Sequence, residues 1–183
     1  EADQLHARFR NPQSDFLSYL QLWDFLHEQQ RQLSRSAFRK MCRREFLHWM
    51  RYREWLDLVQ QLSEICRDLK WSWLPHQEKD GVREDDIHRA LLVGLLSHIG
   101  SRIGETRDYQ GTRGKRFAIF PSSGVARKNS FVMAYEIVET SRVWARTVAA
   151  IEPEWVEKAA GASISRRYTE PHWSHSRGEV QAY

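Results

Sequence analysis

The chain has 183 residues, of which 41% are hydrophobic and 28% charged, and its formal net charge is +4. These values are ordinary for a globular protein and allow one large domain or two small ones with real cores. They exclude a membrane span, because no apolar run approaches the roughly 18 residues required, and a disulfide framework, because there are only 2 cysteines.

Two further features favour a cytosolic piece of a longer protein. Cys42 and Cys66 occur beside apolar residues in helical patterns, as reduced core cysteines do. The polar start, Glu1 to Gln4, has no initiator Met and does not resemble a signal peptide. We therefore expect a cytoplasmic location, no membrane partner and a fragment cut from a longer chain.

The pattern of apolar residues in the first half of the chain predicts four helices. Apolar residues spaced by three and four indicate a helix over 14–30, which Ser14 or Asp15 can cap, and further helices from about Ser36 and over 48–69.

Pro and Gly indicate a loop over 70–84, and a fourth helix begins near Asp85, where acids suit the helix dipole. Because such helices can bury their apolar stripes only against one another, the sequence predicts one bundle-like unit.

The second half predicts short strands divided by turns, because its apolar runs are rich in β-branched and aromatic residues. The predicted strands are 98–103, 106–111, 115–121, 131–139 and 143–150. A short helix should follow from Glu152, with Pro153 in its first turn. Five short strands fit a small oligonucleotide-binding (OB) barrel, although the periodicity also permits an SH3-like barrel.

Basic residues are concentrated in two segments. Between Arg31 and Arg53 there are eight basic residues and one acid, Glu45, and between Ser101 and Ser130 there are seven basic residues and two acids. Such an excess suits a polyanionic partner, because binding releases counterions. A solvated surface would give the same pattern.

The patterns of catalytic and metal sites are missing from the sequence. We find no phosphate-binding G-x-x-x-x-G-K-[ST] loop, no G-x-S-x-G and no zinc-binding cysteine motif. His172 and His175 have a spacing that could seat a metal, but Pro171 and Ser174 argue against a helix there and no third ligand is obvious. We therefore expect no catalytic residues and no metal site.

Several motifs occur in an order that resembles one protein family. They are Ile87-His88-Arg89-Ala90-Leu91-Leu92, Phe120-Pro121-Ser122-Ser123, Met133-Ala134-Tyr135-Glu136-Ile137-Val138-Glu139-Thr140-Ser141-Arg142 and Ala149-Ala150-Ile151-Glu152-Pro153-Glu154-Trp155. Together with the long-helix stretch 46–62, they resemble the region around the C-terminal barrel of DEAH-box RNA helicases.

The phrases Ser14-Asp15-Phe16-Leu17, Leu22-Trp23, Glu28-Gln29-Gln30 and Tyr168-Thr169-Glu170-Pro171-His172-Trp173 resemble the bacterial HrpA-type branch of that family. Two residues depart from the family pattern. Phe120 stands where the family usually has His, so no role for an imidazole can be carried over. Arg142 replaces the usual Lys, which keeps the charge and changes the hydrogen-bond geometry.

The resemblance implies an α+β architecture: a helical helicase-associated (ratchet-like) module over 1–96, an OB barrel over 97–165 with a short helix at 152–160, and the start of an extension over 166–183. It also implies that these parts roof a single-stranded RNA channel above the helicase motor domains of the same parent chain. ATP and magnesium would bind to those motor domains, so we expect no cofactor in this fragment.

The candidate RNA-binding residues combine cations for phosphates with hydroxyls for phosphate or ribose oxygens. They are Arg53, Arg113, Lys115, Arg116, Ser122, Ser123, Arg127, Lys128, Thr140, Ser141 and Arg142. Turn capping is the alternative for each hydroxyl. Tyr52 also matches the channel-facing stretch, but its place on the apolar stripe favours core packing.

The competing interpretation is a protein-docking platform with little RNA contact, which could receive ribosome-associated or regulatory proteins. Trp71 and Trp73 in the loop would suit that role if they are exposed.

Overall fold

A computed structural model describes residues 1–72 and 84–161 of the chain, and the backbone of two short strands at 172–174 and 179–181. The helices are α1 (Ala2–His6), α2 (Asp15–Gln32), α3 (Arg35–Arg44), α4 (Trp49–Asp68), α5 (Glu84–Leu95) and α6 (Pro153–Ala160). The strands are β1 (Ile99–Arg102), β2 (Asp108–Gly111), β3 (Arg116–Ile119), β4 (Phe131–Glu139), β5 (Val143–Ala150), β6 (His172–Ser174) and β7 (Glu179–Gln181). Short 3₁₀ turns cover Ala7–Phe9, Leu96–His98 and Thr112–Gly114.

Helices α2 and α3 both begin at a serine, because its hydroxyl can satisfy a free amide of the first turn. Ser14 Oγ accepts from the Leu17 amide at 3.2 Å, and Ser34 Oγ accepts from the Ala37 amide at 3.4 Å. Helices α2, α3 and α4 then share one apolar cluster, built on buried side chains of Leu26, Phe38, Met41, Cys42 and Tyr52.

The five strands β1 to β5 form a closed barrel in the order β1-β2-β3-β5-β4. All neighbouring strands are antiparallel except β3 and β5, and β1 closes the barrel by pairing with β4. Its core includes Tyr109, Phe117, Val132 and Val148. The structure confirms the predicted fold class, a helical region followed by an OB-type barrel.

Gly100 in β1 is required by this packing. A Cβ added there would lie 2.4 Å from the Phe117 ring, so a larger residue would displace a core aromatic.

The prediction that all four long helices form one bundle is wrong for α5. Leu92 of α5 is fully buried against Met133, Ala149 and Ile151 of the barrel side, and Trp155 of α6 packs on the same cluster. Helix α5 therefore buries its apolar stripe on the barrel, which offered an apolar surface that helical periodicity alone could not reveal.

The apolar stripe predicted along the third helix is buried only at its start. Tyr52 in α4 is buried, as predicted, and its hydroxyl donates to Gln30 Oε1 at 3.0 Å. This burial raises the pKa of Tyr52 to about 12. Farther along α4, Leu62 and Ile65 are exposed, as is Leu69 directly after the helix.

The start of α2 is attached to the barrel rather than to the helical cluster. Ser14 forms a bridge with Ala149 of β5, and its Oγ lies 2.7 Å from Nε2 of the buried His88. Burial lowers the pKa of His88, although Asp85 and Glu84 partly oppose that effect. These contacts hold the start of α2 against α5 on one side of the barrel.

Within the residues described, no helix is both long and apolar enough to cross a membrane.

Candidate nucleic-acid interface

The outer face of β5 carries an alternation of arginine and aromatic side chains. Residues two apart on a strand lie on one face, so Trp144 and Arg146 point away from the core while Ala145 is buried. The Arg142 guanidinium lies 5.2 Å from the Trp144 ring centre, and that of Arg146 lies 4.8 Å from the Phe120 ring.

The two rings also touch, edge to face, with centres 5.7 Å apart. We call these four side chains, in the order Arg142, Trp144, Phe120 and Arg146, the aromatic–arginine strip. Aromatic faces stack on bases and arginines bind phosphates, so the strip offers both kinds of contact to a single strand.

Acidic partners balance several of the cations on this surface. Arg142 is paired with Asp108, Arg146 with Glu136 at 3.7 Å, and Lys115 with Glu139 at 3.2 Å. All six side chains are substantially exposed, so the pairs contribute little stability and can exchange for a phosphate at small cost.

A cleft of about 450 Å³ continues the strip towards the start of α2. Phe120 and Arg146 form one side of the cleft, and Arg10 and Tyr19 line it from the helical side. Ser122, a predicted site residue, is exposed and also lines this cleft. The strip and the cleft thus share Phe120 and Arg146.

Ser123, the other predicted serine, has a structural role. Its hydroxyl donates to Asp15 Oδ2 at 2.6 Å and accepts from the Val125 amide at 3.1 Å. Turn capping, the alternative for this hydroxyl, accounts for the bond from Val125, and the bond to Asp15 ties the turn to the start of α2.

The carboxylate of Asp15 collects two more donors. The amides of Gly124 and Val148 donate to it at 3.0 and 2.9 Å. Thr147, just before Val148, has a φ of +51°, a conformation that is rare for a β-branched residue. This strain lies at the wall of the cleft.

The loop before β4 presents the two predicted cations Arg127 and Lys128, which are both exposed. The hydroxyl of the buried Tyr109 donates to the carbonyls of Arg127 and Asn129, at 3.3 and 3.0 Å, and so fixes the loop backbone. Among the described residues no acid pairs with either cation.

The turn between β4 and β5 uses one of its predicted hydroxyls internally. Thr140 donates through Oγ1 to the carbonyl of Arg142 at 3.1 Å, which is turn capping, whereas Ser141 is exposed. Arg116, the first residue of β3, is exposed, and so is Arg113, which adopts a φ of +55° in the turn before the strand.

Arg53 is not part of this surface. It lines a separate cavity formed by α2, α3 and α4, where its guanidinium lies 5.5 Å from the Trp49 ring centre. The structure therefore brings Ser122 beside the strip that contains Arg142, and places Arg53 in another cavity.

Sequence reasoning missed Trp144, Phe120 and Arg146 as site residues. The available signal was the alternation of Trp144 and Arg146 in the predicted strand 143–150, directly after Arg142, which puts these two side chains on one face. The position of Phe120 beside them depends on the parallel pairing of β3 with β5, which has no local signal.

Other predictions concern residues that the structure describes only in part. Trp71 is exposed, as the docking interpretation requires, whereas Trp73 and His175 lie outside the described residues, as does the side chain of His172. Across the part of the chain that is described, no three of His, Cys, Asp and Glu cluster in a way that could hold a metal ion.

Comparison with known proteins finds a matching OB-fold family model and a set of similar RNA helicases. A family model described as "Oligonucleotide/oligosaccharide-binding (OB)-fold" matches residues 87–164, so it begins inside α5, the helix that packs on the barrel. The ATP-dependent RNA helicase HrpA of Escherichia coli (strain K12) is 46% identical over 183 residues, covering 99% of this chain and 14% of the relative.

Its homolog in Haemophilus influenzae is also 46% identical over 183 residues, with the same coverage. The probable ATP-dependent RNA helicase DHX40 of Homo sapiens is 27% identical over 161 residues, which is 85% of this chain and 20% of that protein. The chain thus spans about one seventh of the length of the HrpA relatives. Residues 87–164 match the OB-fold family model, and the chain as a whole is similar to a segment of the HrpA-type ATP-dependent RNA helicases.

Proposed function

We propose that this chain is an accessory RNA-binding region of a DEAH-box ATP-dependent RNA helicase. It holds single-stranded RNA against the roof of the helicase channel and couples that grip to motor domains elsewhere in the parent chain. The region catalyses no reaction itself, and ATP and magnesium bind to the motor domains. The observation that supports this proposal best is the aromatic–arginine strip on an OB barrel.

The chemistry of the strip favours a single strand over a duplex. Stacking needs unpaired bases whose faces are open. The Trp144 and Phe120 rings, whose centres are 5.7 Å apart, can stack on such bases. The arginines at both ends of the strip and the loop cations Arg127 and Lys128 supply the phosphate contacts. None of these contacts reads a base edge, so we expect weak sequence preference.

The test is fluorescence anisotropy with a labelled 12-nucleotide oligouridylate at low salt. Trp144→Leu removes the ring face and keeps an apolar side chain, and should weaken binding on the order of tenfold, as the loss of one stacked base does. Trp144→Phe should restore most of the affinity.

Trp71→Ala is the matched control, since it removes an exposed tryptophan far along the chain from the barrel, and it should bind like the wild type. Thermal unfolding shows whether each variant is folded. If folded Trp144→Leu keeps wild-type affinity, or if the wild type binds no RNA at low salt, the docking-platform alternative replaces this proposal.

A further inference from the structure

The cavity between α2, α3 and α4 is not part of the proposed RNA surface, and the composition of its lining suits another ligand. Its volume is about 420 Å³, at the small end of the roughly 300–1,000 Å³ typical of ligand sites. Its floor is apolar and includes Leu33, Phe38, Trp49 and Leu56. A floor of this kind favours a large apolar side chain, because burying that side chain removes its surface from water.

The rim of the cavity is cationic. Arg35, Arg39 and Arg53 line it, against a single acid, Asp57. Within the described part of the chain, none of the three arginines is paired with a carboxylate. Three guanidinium groups around an apolar floor are complementary to carboxylates that flank an apolar side chain.

The floor is poorly suited to a nucleobase. The Arg39 guanidinium lies over the Trp49 ring at 4.1 Å, closer than Arg142 and Arg146 lie to the rings of the strip, so a base could stack on Trp49 only by displacing a more tightly packed group. The hydrogen-bonding groups of Tyr52 and Gln30 are joined to each other at 3.0 Å, which leaves little to read a base edge. Arg39 itself can still donate from the edge of its guanidinium plane while its face rests on the ring.

We propose that this cavity docks an acidic peptide segment of a partner protein, in which one large apolar side chain enters the cavity and flanking carboxylates bind Arg35 and Arg39. This inference goes beyond the RNA-binding function and does not depend on it. The exposed side of Arg39 also lines a shallower depression with Ser34 and Ser36, so the segment can continue past the start of α3.

The test is a selection of random 12-residue peptides displayed on phage against the 183-residue chain, followed by anisotropy measurements on the enriched peptides. Enriched peptides should carry one large apolar residue with at least two nearby acids. Arg35→Glu and Arg39→Glu should each weaken their binding on the order of tenfold or more, because a favourable pair becomes a repulsive one.

Matched controls separate the cavity from general charge effects. Arg43→Glu makes the same charge change at an exposed position of α3 outside the cavity, and should leave peptide affinity within about twofold of wild type. Asp57→Asn removes the one acid of the rim and should tighten binding severalfold. Trp144→Leu should leave peptide binding unchanged, which distinguishes failure here from failure of the RNA proposal.

Three results would overturn the inference. One is that no acidic, apolar-anchored peptides are enriched. Another is that those enriched bind Arg39→Glu and Arg43→Glu equally well. A third is that Arg39→Glu weakens the binding of a single-stranded oligonucleotide but of no peptide, which would assign the cavity to nucleic acid.

Discussion

Asp15 accepts a hydrogen bond of 2.6 Å from Ser123, a residue 108 positions away in the sequence. The same carboxylate accepts the amides of Gly124 and Val148, so the first residue of α2 fixes both the turn after β3 and the distorted part of β5. These are the two segments that border the cleft. The geometry of the proposed RNA surface therefore depends on a contact between the helical region and the barrel.

Asp15→Asn tests this dependence. An amide keeps one acceptor oxygen but loses the charge, and it cannot accept from all three donors, so partly buried amides are left without a partner. We expect the free energy of unfolding to fall by about 1–3 kcal/mol, measured by urea denaturation. The control is Asp68→Asn on the exposed end of α4, which should change it by no more than about 0.5 kcal/mol.

Substitutions of the two serines of the turn, Ser122 and Ser123, should have different effects. Ser123→Ala removes a hydroxyl that is bonded on both sides, and should cost about 1 kcal/mol of stability without changing the salt dependence of RNA affinity. Ser122→Ala should leave stability unchanged and weaken RNA binding by a small factor. Equal loss of stability in the two variants would contradict the assignment of different roles.

The sequence predicts those elements of the fold whose sequence signals are local. The spacing of apolar residues and the serine caps predict α2 closely, and the strand-like runs 131–139 and 143–150 coincide with β4 and β5. The packing of α5 on the barrel is not a local property, because Leu92 has the same helical periodicity whichever surface covers it.

The same limit applies to the candidate site. A cluster of cations is visible in the sequence, but the acids that neutralise some of them are not. Arg142 is paired with Asp108, 34 positions earlier, so its availability to RNA differs from that of Arg127. The Phe120–Trp144 contact likewise depends on strand order in the closed barrel.

The buried His88 should make stability depend on pH. Its pKa is lowered in the folded protein by burial, so the folded state binds a proton less readily than the unfolded chain, whose histidine titrates near pH 6.5. Stability from this residue is therefore complete above about pH 6.5. It is lost as the pH falls from there towards the folded pKa, by at most about 1.4 kcal/mol per pH unit.

Urea denaturation between pH 7.5 and 5 measures this effect. His88→Gln removes the titration and should flatten that part of the profile, whereas replacing the exposed His48 by Gln should leave the slope as in the wild type. Matching slopes in wild type and His88→Gln would show that the imidazole near Ser14 does not limit stability in acid.

The loop cations Arg127 and Lys128 should determine the salt dependence of RNA affinity. Each phosphate contact on a single strand contributes about 0.7 to the slope of log affinity against log salt, so Arg127→Gln with Lys128→Gln should reduce the slope by up to about 1.4. The double variant Lys40→Gln with Arg43→Gln makes the same charge change on exposed positions of α3 and should leave the slope near that of wild type. Adding Arg142→Gln to the loop variant should reduce the slope by less than either loop substitution, because the Asp108 carboxylate that is freed when Arg142 binds a phosphate attracts a cation and offsets part of the counterion release. An unchanged slope in the loop variant would show that Arg127 and Lys128 do not contact RNA. The proposed RNA surface would then rest on the aromatic–arginine strip alone.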